Sequence, residues 1–76
     1  MKDILVFLLT NIVDTPDEVE VTESETDGVT TFTIRVASSD MGKVIGKEGK
    51  IIRSIRNILK VKAMKENKRI YVTLAE

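Results

Sequence analysis

Two glycines three residues apart, Gly46 and Gly49, enclose Lys47 and Glu48 within the apolar stretch VIGKEGKII. Each glycine inside a helix costs on the order of 1 kcal/mol relative to alanine, so the pair indicates a break between two helices. A loop without Cβ atoms can bring main-chain N–H groups close to a ligand, and a helix that begins after it attracts an anion. The predicted chemistry is phosphate binding, with Lys47 and Lys50 adding positive charge and Glu48 pointing to solvent.

The charged residues are divided unevenly along the chain. Residues 1–40 hold two basic and nine acidic side chains, a net −7, whereas residues 41–76 hold ten basic and three acidic ones, a net +7. A basic half favours a polyanionic partner. The candidates for phosphate neutralisation lie in the loop or about one turn from it: Lys43, Lys47, Lys50 and Arg53. The basic residues further along, Arg56, Lys60 and Lys62, mostly predict a solvated helix face.

The composition excludes several function classes. The 76 residues include no cysteine and no histidine, so disulfides, thiolate nucleophiles, the usual zinc ligands and the commonest general base are absent. No catalytic residue, metal or cofactor is predicted. The apolar stretch ILVFLLTNIV is broken by Thr10 and Asn11 and is too short to span a bilayer, so we expect a cytoplasmic protein without a membrane partner.

Hydrophobic periodicity predicts the elements that position the loop. Apolar residues at 4, 5, 8, 9 and 12 predict a helix over residues 3–13, and EVEVTESE alternates valines with acids that we expect to face solvent. Asp27-Gly28 predicts a hairpin turn into a second strand, TTFTIRVA. The acidic run from Asp17 to Asp27 predicts a charged edge strand that discourages aggregation.

The second half of the chain predicts two helices and a strand. Ser38, Ser39 and Asp40 are candidate caps for a short helix over MGKVI, which the GKEG break separates from a longer helix over about 50–65; RIYVTLA is the last strand. The order α-β-β-α-α-β predicts an α+β fold in which three helices pack on a three-stranded mixed sheet, with an antiparallel hairpin and a parallel crossover.

The segment IGKEGKII, residues 45–52, resembles the I-G-x-x-G-x-x-I signature of the KH family, and the element order is similar to its type II variant. The resemblance covers the whole chain as one KH domain, 1–76, and is to the small single-domain, KhpA-like bacterial RNA-binding proteins. It implies that the loop clamps about four nucleotides of single-stranded RNA, with the bases in an apolar groove to which Val44 and Ile45 contribute. It also implies homodimers, heterodimers with a larger KH-containing (KhpB-like) protein, and post-transcriptional regulation linked to cell elongation and division.

Apolar residues beyond those expected in a core suggest a protein contact. On the long helix, Ile52, Ile55, Leu59 and Ala63 form one stripe for the core, whereas Ile51, Ile58 and Val61 lie off it. These three predict a self-complementary dimer contact, although scattered surface aliphatics are also normal. The aromatic residues Phe7, Phe32 and Tyr71 have helix or strand periodicity suited to packing, and Phe7 and Phe32 are expected in the core. This argues against a protein that stacks bases on exposed aromatic residues.

Alternative interpretations of the loop differ in how well they fit. GKEG could be a helix break with a glycine cap and no ligand. A P-loop or a dinucleotide fingerprint requires glycine spacings that Gly42, Gly46 and Gly49 do not have, and the chain lacks the catalytic groups of a nucleotide hydrolase. A module for protein assembly, with weak or no RNA binding, remains the main alternative to an RNA-binding protein.

Overall fold

Three helices pack on one face of a three-stranded sheet in the computed structural model, which describes residues 1–75. The elements are α1 (Lys2–Thr10), β1 (Glu20–Thr26), β2 (Val29–Arg35), α2 (Met41–Ile45), α3 (Lys50–Lys65) and β3 (Arg69–Leu74). Short 3-10 turns precede β1, α2 and α3. The predicted order is confirmed, and with it the type II KH fold that the resemblance implied.

The sheet has the order β1-β2-β3 and the predicted mixture of strand directions. β1 and β2 are antiparallel, and Asp27 and Gly28 both have positive φ angles in the turn between them, as a two-residue hairpin turn requires. β2 and β3 are parallel, because α2 and α3 carry the chain back to the start of the sheet. β1 and β3 are therefore the two edges.

The core lies between the helices and the sheet. The predicted α3 stripe of Ile52, Ile55, Leu59 and Ala63 is buried, since residues at helical spacing share one face. Leu5 and Leu9 of α1 join it, and β2 contributes Phe32 and Ile34 from its helix-facing side. The prediction that Phe32 belongs to the core is confirmed.

The corresponding prediction for Phe7 is wrong, because its side chain is 66% exposed. α1 has only nine residues, and of these Leu5 and Leu9 are buried. Phe7 is two residues from each of them, which places it roughly 160° around the helix from both. An apolar residue opposite the buried stripe is left in solvent when the helix packs against only one neighbouring layer.

The acids of β1 are exposed, as predicted, but they do not all lie on one side of the sheet. Glu23 and Glu25 are opposite Phe32 and Thr30 in the β1–β2 register, so they project to the same side of the sheet as Val21. Both are nevertheless exposed, which shows that the helices leave this end of β1 uncovered.

Candidate nucleic-acid interface

The GKEG loop joins α2 to α3 through a backbone that relies on both glycines. Gly46 has φ 76° and ψ 175°, Glu48 has φ 57°, and Gly49 has φ 74°. The Gly46 N–H donates to the carbonyl of Gly42 at 2.9 Å, and the Gly49 N–H donates to the carbonyl of Gly46 at 3.2 Å. The loop is a tight, hydrogen-bonded turn that sits directly before the N-terminus of α3.

The two glycines have different roles in this turn. A Cβ atom added to Gly46 would lie 2.5–2.9 Å from three side-chain carbons of Ile51, so Gly46 allows α2 and α3 to pack against each other. A Cβ added to Gly49 would meet only the Arg53 Nη2 atom, at 3.7 Å. The absence of a Cβ therefore opens space for a ligand at Gly49, whereas at Gly46 it makes room for the protein itself.

Arg53 stabilises the loop from the first turns of α3. Its Nη2 atom donates a hydrogen bond to the carbonyl of Glu48. Within the loop, Glu48 is the non-glycine residue with a left-handed backbone conformation. The Glu48 side chain is exposed, as expected. Arg53 was predicted as a phosphate ligand, and the structure gives it a contact that orders the loop as well.

Lys43 pairs with an acid of the first half of the chain. Its ammonium group forms an ion pair with the Asp14 carboxylate. The backbone around Asp14 is held in turn by Asp40, which is 1% exposed and whose carboxylate accepts the N–H groups of Asp14 at 3.1 Å and Thr15 at 3.0 Å. Asp14 is thus fixed beside Lys43, one of the predicted phosphate ligands.

This use of Asp40 corrects the prediction that Ser38, Ser39 and Asp40 cap the short helix. Residues 38–40 form a 3-10 turn, and no side chain caps α2 at Asp40. The carboxylate instead satisfies two backbone donors 25 and 26 residues away. The Asp40 side chain does not cap α2 because its carboxylate links the α1–β1 connection to the start of α2.

The remaining predicted ligands differ in accessibility. The side chains of Lys47 and Lys50 are exposed and form no ion pair within residues 1–75. Ile45 is partly exposed beside them, but Val44 is fully buried in the core. The predicted contact between the Val44 side chain and a base is therefore inconsistent with the structure, in which Val44 anchors α2 below the loop.

A groove between α3 and the edge strand β3 lies next to the loop. It consists of two adjoining cavities of about 520 and 490 Å³, and we call it the α3–β3 groove. Arg53 lines its first cavity, so the groove begins where the GKEG turn ends. The other lining cations are Arg56, Lys60, Lys68 and Arg69, and the apolar lining comes from Val29, Ala63, Met64, Ile70, Tyr71 and Val72.

The groove is positively charged, since five cations and no carboxylate line it. One of the lining cations, Lys68, pairs with Glu66 at 3.7 Å, and Glu66 also pairs with Lys62 at 3.4 Å. Arg56 also donates its Nε–H to the Val72 carbonyl at 3.1 Å, across the groove from α3 to β3. Its guanidinium is thereby held in place on an otherwise open strand edge.

Reasoning from the sequence missed this second half of the site. Arg56 and Lys60 had been interpreted mostly as a solvated helix face. Tyr71 had been interpreted as suited to packing, but its side chain is 68% exposed. The spacing of Arg53, Arg56 and Lys60 by three and four residues is the signal that places them in one row along a helix. That row becomes a groove wall only because the parallel crossover puts β3 alongside α3.

The three predicted dimer residues lie on α3 away from the core. Ile58 is 48% and Val61 56% exposed. Ile51 is also partly exposed, but several of its side-chain carbons lie against Gly46, so it belongs to the loop packing as well.

Residues 1–75 contain no group of three or more acidic side chains that could hold a metal ion. None of the helices in this range is long and apolar enough to cross a membrane.

Sequence comparisons match this chain to one family. The family model described as "KhpA/KhpB, KH domain" matches residues 2–74. The RNA-binding protein KhpA of Clostridium acetobutylicum is 45% identical over 74 residues, which are 97% of this chain and 99% of the relative. The proteins of the same name from Chlamydia caviae and Listeria monocytogenes are 37% and 34% identical, each over all of this chain and over 97% and 100% of the relative. No solved structure gave a significant match. The chain belongs to the KhpA/KhpB family of KH-domain proteins.

Proposed function

We propose that this protein binds single-stranded RNA, with the GKEG loop holding the sugar–phosphate backbone and the α3–β3 groove receiving the bases. The observation that carries the proposal is the continuity of the two parts. Arg53 contacts the loop and also lines the groove, so a strand clamped at the loop continues into a positively charged channel. The names of the relatives, which describe RNA-binding proteins, support RNA as the polyanion.

The loop supplies the backbone contact. Because the N–H groups of Gly46 and Gly49 are used inside the turn, the contact rests on the side chains of Lys47 and Lys50 and on the amides of the two middle residues. These are contacts to phosphate, so they supply affinity that falls with salt and carry little sequence information. Base selection then depends on the groove.

The first test is fluorescence anisotropy with a short single-stranded RNA at several salt concentrations. The variant Lys47→Asp, Glu48→Asp replaces the loop cation by an acid and keeps both glycines, so the fold should be retained, which circular dichroism checks. We expect salt-dependent binding by the wild type and a loss of roughly tenfold or more in the variant. Lys65→Asp is the matched control, because it makes the same charge change on a part of α3 that does not line the groove.

The result also separates this function from the main alternative. If the wild type does not bind RNA, or the loop variant binds as well as the wild type, the glycines serve only the fold and a role in protein assembly replaces RNA binding. A single-stranded DNA of the same sequence, measured in parallel, tests the choice of RNA. We propose no chemical reaction for the protein, and lack of nucleotide hydrolysis with magnesium checks this.

We propose in addition that the protein forms dimers through the outer face of α3. Ile58 and Val61 expose aliphatic surface there, and Ile51 borders the same face. A self-complementary apolar patch is what a two-fold dimer requires. The same face is our candidate for pairing with a larger KH-containing protein. Action in the cytoplasm, in post-transcriptional regulation of cell elongation and division, is proposed from the family resemblance alone.

A further inference from the structure

The edge of the sheet formed by β1 presents unpaired main-chain groups. β1 pairs with β2 on one side only. The two-residue hairpin turn makes Thr26 and Val29 a hydrogen-bonded pair, and such pairs alternate with non-bonded ones along an antiparallel ladder. The N–H and C=O groups of Glu23 and Glu25 therefore point away from β2, and no helix, loop or side chain within residues 1–75 bonds them.

The opposite edge of the sheet, β3, is partly occupied by the chain itself. There Arg56 donates its Nε–H to the Val72 carbonyl at 3.1 Å. β1 is seven residues long, which is roughly 24 Å at about 3.4 Å per residue. The open part of β1 is thus long enough to accept a further strand.

The side chains along β1 determine which strand would fit. Glu23 and Glu25 lie on the helix side of the sheet but outside the cover of the helices, and both are exposed. Residues 17–27 hold six acidic side chains and no basic one. None of these six forms an ion pair with another residue of the range 1–75. The field of this uncompensated charge favours a cationic partner.

The same acids reject the wrong partners. Like charges directly opposite each other in a strand pair are destabilising, whereas opposite charges stabilise it. Pairing of β1 with β1 of a second copy is therefore unfavourable, and nucleic acid is repelled as well. The predicted protection against aggregation and the choice of a basic strand have one physical cause, because charges that attract one partner exclude the other.

We propose that the open edge of β1 accepts an extended, lysine- or arginine-rich segment of a partner protein, which becomes a fourth strand of the sheet. Main-chain hydrogen bonds to Glu23 and Glu25 supply affinity, and the alternating side chains supply selectivity. The segment has basic residues at every second position, opposite the two glutamates, and β-branched residues between them, opposite Thr22 and Ser24 on the other side of the sheet. Because β1 and β3 are opposite edges, this contact is separate from the α3–β3 groove and does not rest on RNA binding.

Amide hydrogen exchange with a synthetic peptide tests the added strand. The probe is acetyl-KVKVKTK-amide, and acetyl-KKKKVVT-amide is its control, with the same composition but no alternation. At saturation the alternating peptide should slow exchange of the Glu23 and Glu25 amides about tenfold or more, since each gains a hydrogen bond, and that of Thr22 and Ser24, already bonded to β2, by about twofold at most. The control peptide should slow none of them.

Variants separate the contribution of charge from that of hydrogen bonding. The double variant Glu23→Gln, Glu25→Gln should bind the alternating peptide about fivefold more weakly, as the loss of two cross-strand charge pairs predicts. Its matched control, Asp17→Asn, Glu18→Gln, makes the same charge change outside β1 and should bind within about twofold of the wild type. Glu25→Pro also removes the N–H that faces the open edge, so it should bind more weakly than Glu25→Gln. Circular dichroism should show both folded, because β2 does not use that N–H.

The results support or overturn the fourth strand without reference to RNA. Slowed exchange at Glu23 and Glu25, together with weaker binding by the double variant and by Glu25→Pro, supports it. Absence of binding, equal binding of the two peptides without slowed exchange, or unchanged binding by the double variant overturns it and leaves the acids only a role against aggregation. Anisotropy with RNA and the loop variant is read independently, so either proposal can fail while the other stands.

Discussion

Alanine at Gly46 should destabilise the domain far more than alanine at Gly49. Gly46 has φ 76° and ψ 175°, a region of backbone space used almost only by glycine, where other residues cost about 1–3 kcal/mol. The new Cβ would also lie 2.5–2.9 Å from Ile51 side-chain carbons, and forcing extra atoms into packed structure costs a further 1–3 kcal/mol or so. We expect a loss of about 2–6 kcal/mol in the free energy of unfolding.

The effect at Gly49 should be smaller because only the backbone is strained there. Its φ of 74° and ψ of 15° are left-handed helical, which costs a residue with a Cβ about 1–2 kcal/mol. The added Cβ would be at an ordinary contact distance of 3.7 Å from Arg53. For a domain of this size, about 1 kcal/mol changes the melting temperature by roughly 4–8 °C, so the two variants should be clearly separated.

Urea unfolding followed by circular dichroism measures both free energies. A double-mutant cycle with Ile51→Ala isolates most of the steric part, because it removes the Cγ1 and Cδ1 atoms that would lie 2.5 and 2.9 Å from the new Cβ and leaves only the Ile51 Cβ, at 2.8 Å. We expect a coupling of about 1–3 kcal/mol between Gly46 and Ile51 and almost none between Gly49 and Ile51. Equal destabilisation by the two alanines, or zero coupling at Gly46, would refute this account of the loop.

Three further predictions concern the residues around the site. Asp40→Ala should cost about 2–4 kcal/mol, because the buried carboxylate accepts the N–H groups of Asp14 and Thr15; wild-type stability in urea would contradict this. Asp14→Asn should raise RNA affinity about two- to fivefold, since it frees Lys43 from its ion pair so that it can bind a phosphate. The slope of log affinity against log salt concentration should steepen by about 0.7. Anisotropy at several salt concentrations measures both quantities, and unchanged values argue that Asp14 does not compete with RNA for Lys43. Ile58→Lys should give a folded monomer in sedimentation analysis, and an unchanged mass excludes the proposed dimer face.

The sequence predicted the fold well because the pattern of each element agrees with the tertiary structure. The α3 stripe of Ile52, Ile55 and Leu59 is buried as its spacing required, and the turn at Asp27-Gly28 has the positive φ angles of its hairpin type. In these cases the local order of residues is enough to predict the structure. The loop was predictable for the same reason, since a pair of glycines between two short helices restricts the backbone locally.

The features that the sequence did not reveal depend on contacts between distant residues. An aspartate before a helix predicts a local cap, yet Asp40 binds a connection 25 and 26 residues away. Alternation along β3 shows that Tyr71 and Val72 face opposite sides, but not which side the helices cover. Phe7 was misplaced in the same way, because a helical pattern does not tell how far the neighbouring layer extends.

The position of α3 explains how one short domain could bind RNA and a second subunit together. At about 100° per residue, Lys60 lies roughly 160° around the helix from Ile58 but only about 100° from Val61. The groove and Ile58 are therefore on opposite sides of α3, and Val61 lies between them. A dimer through Ile58 would leave both grooves open. When one subunit has bound an RNA, the groove of the second subunit meets the same strand at a high effective concentration. The affinity for long strands then rises without any new kind of contact. A domain with one small groove therefore has a physical reason to dimerise through the side of α3 that does not line the groove.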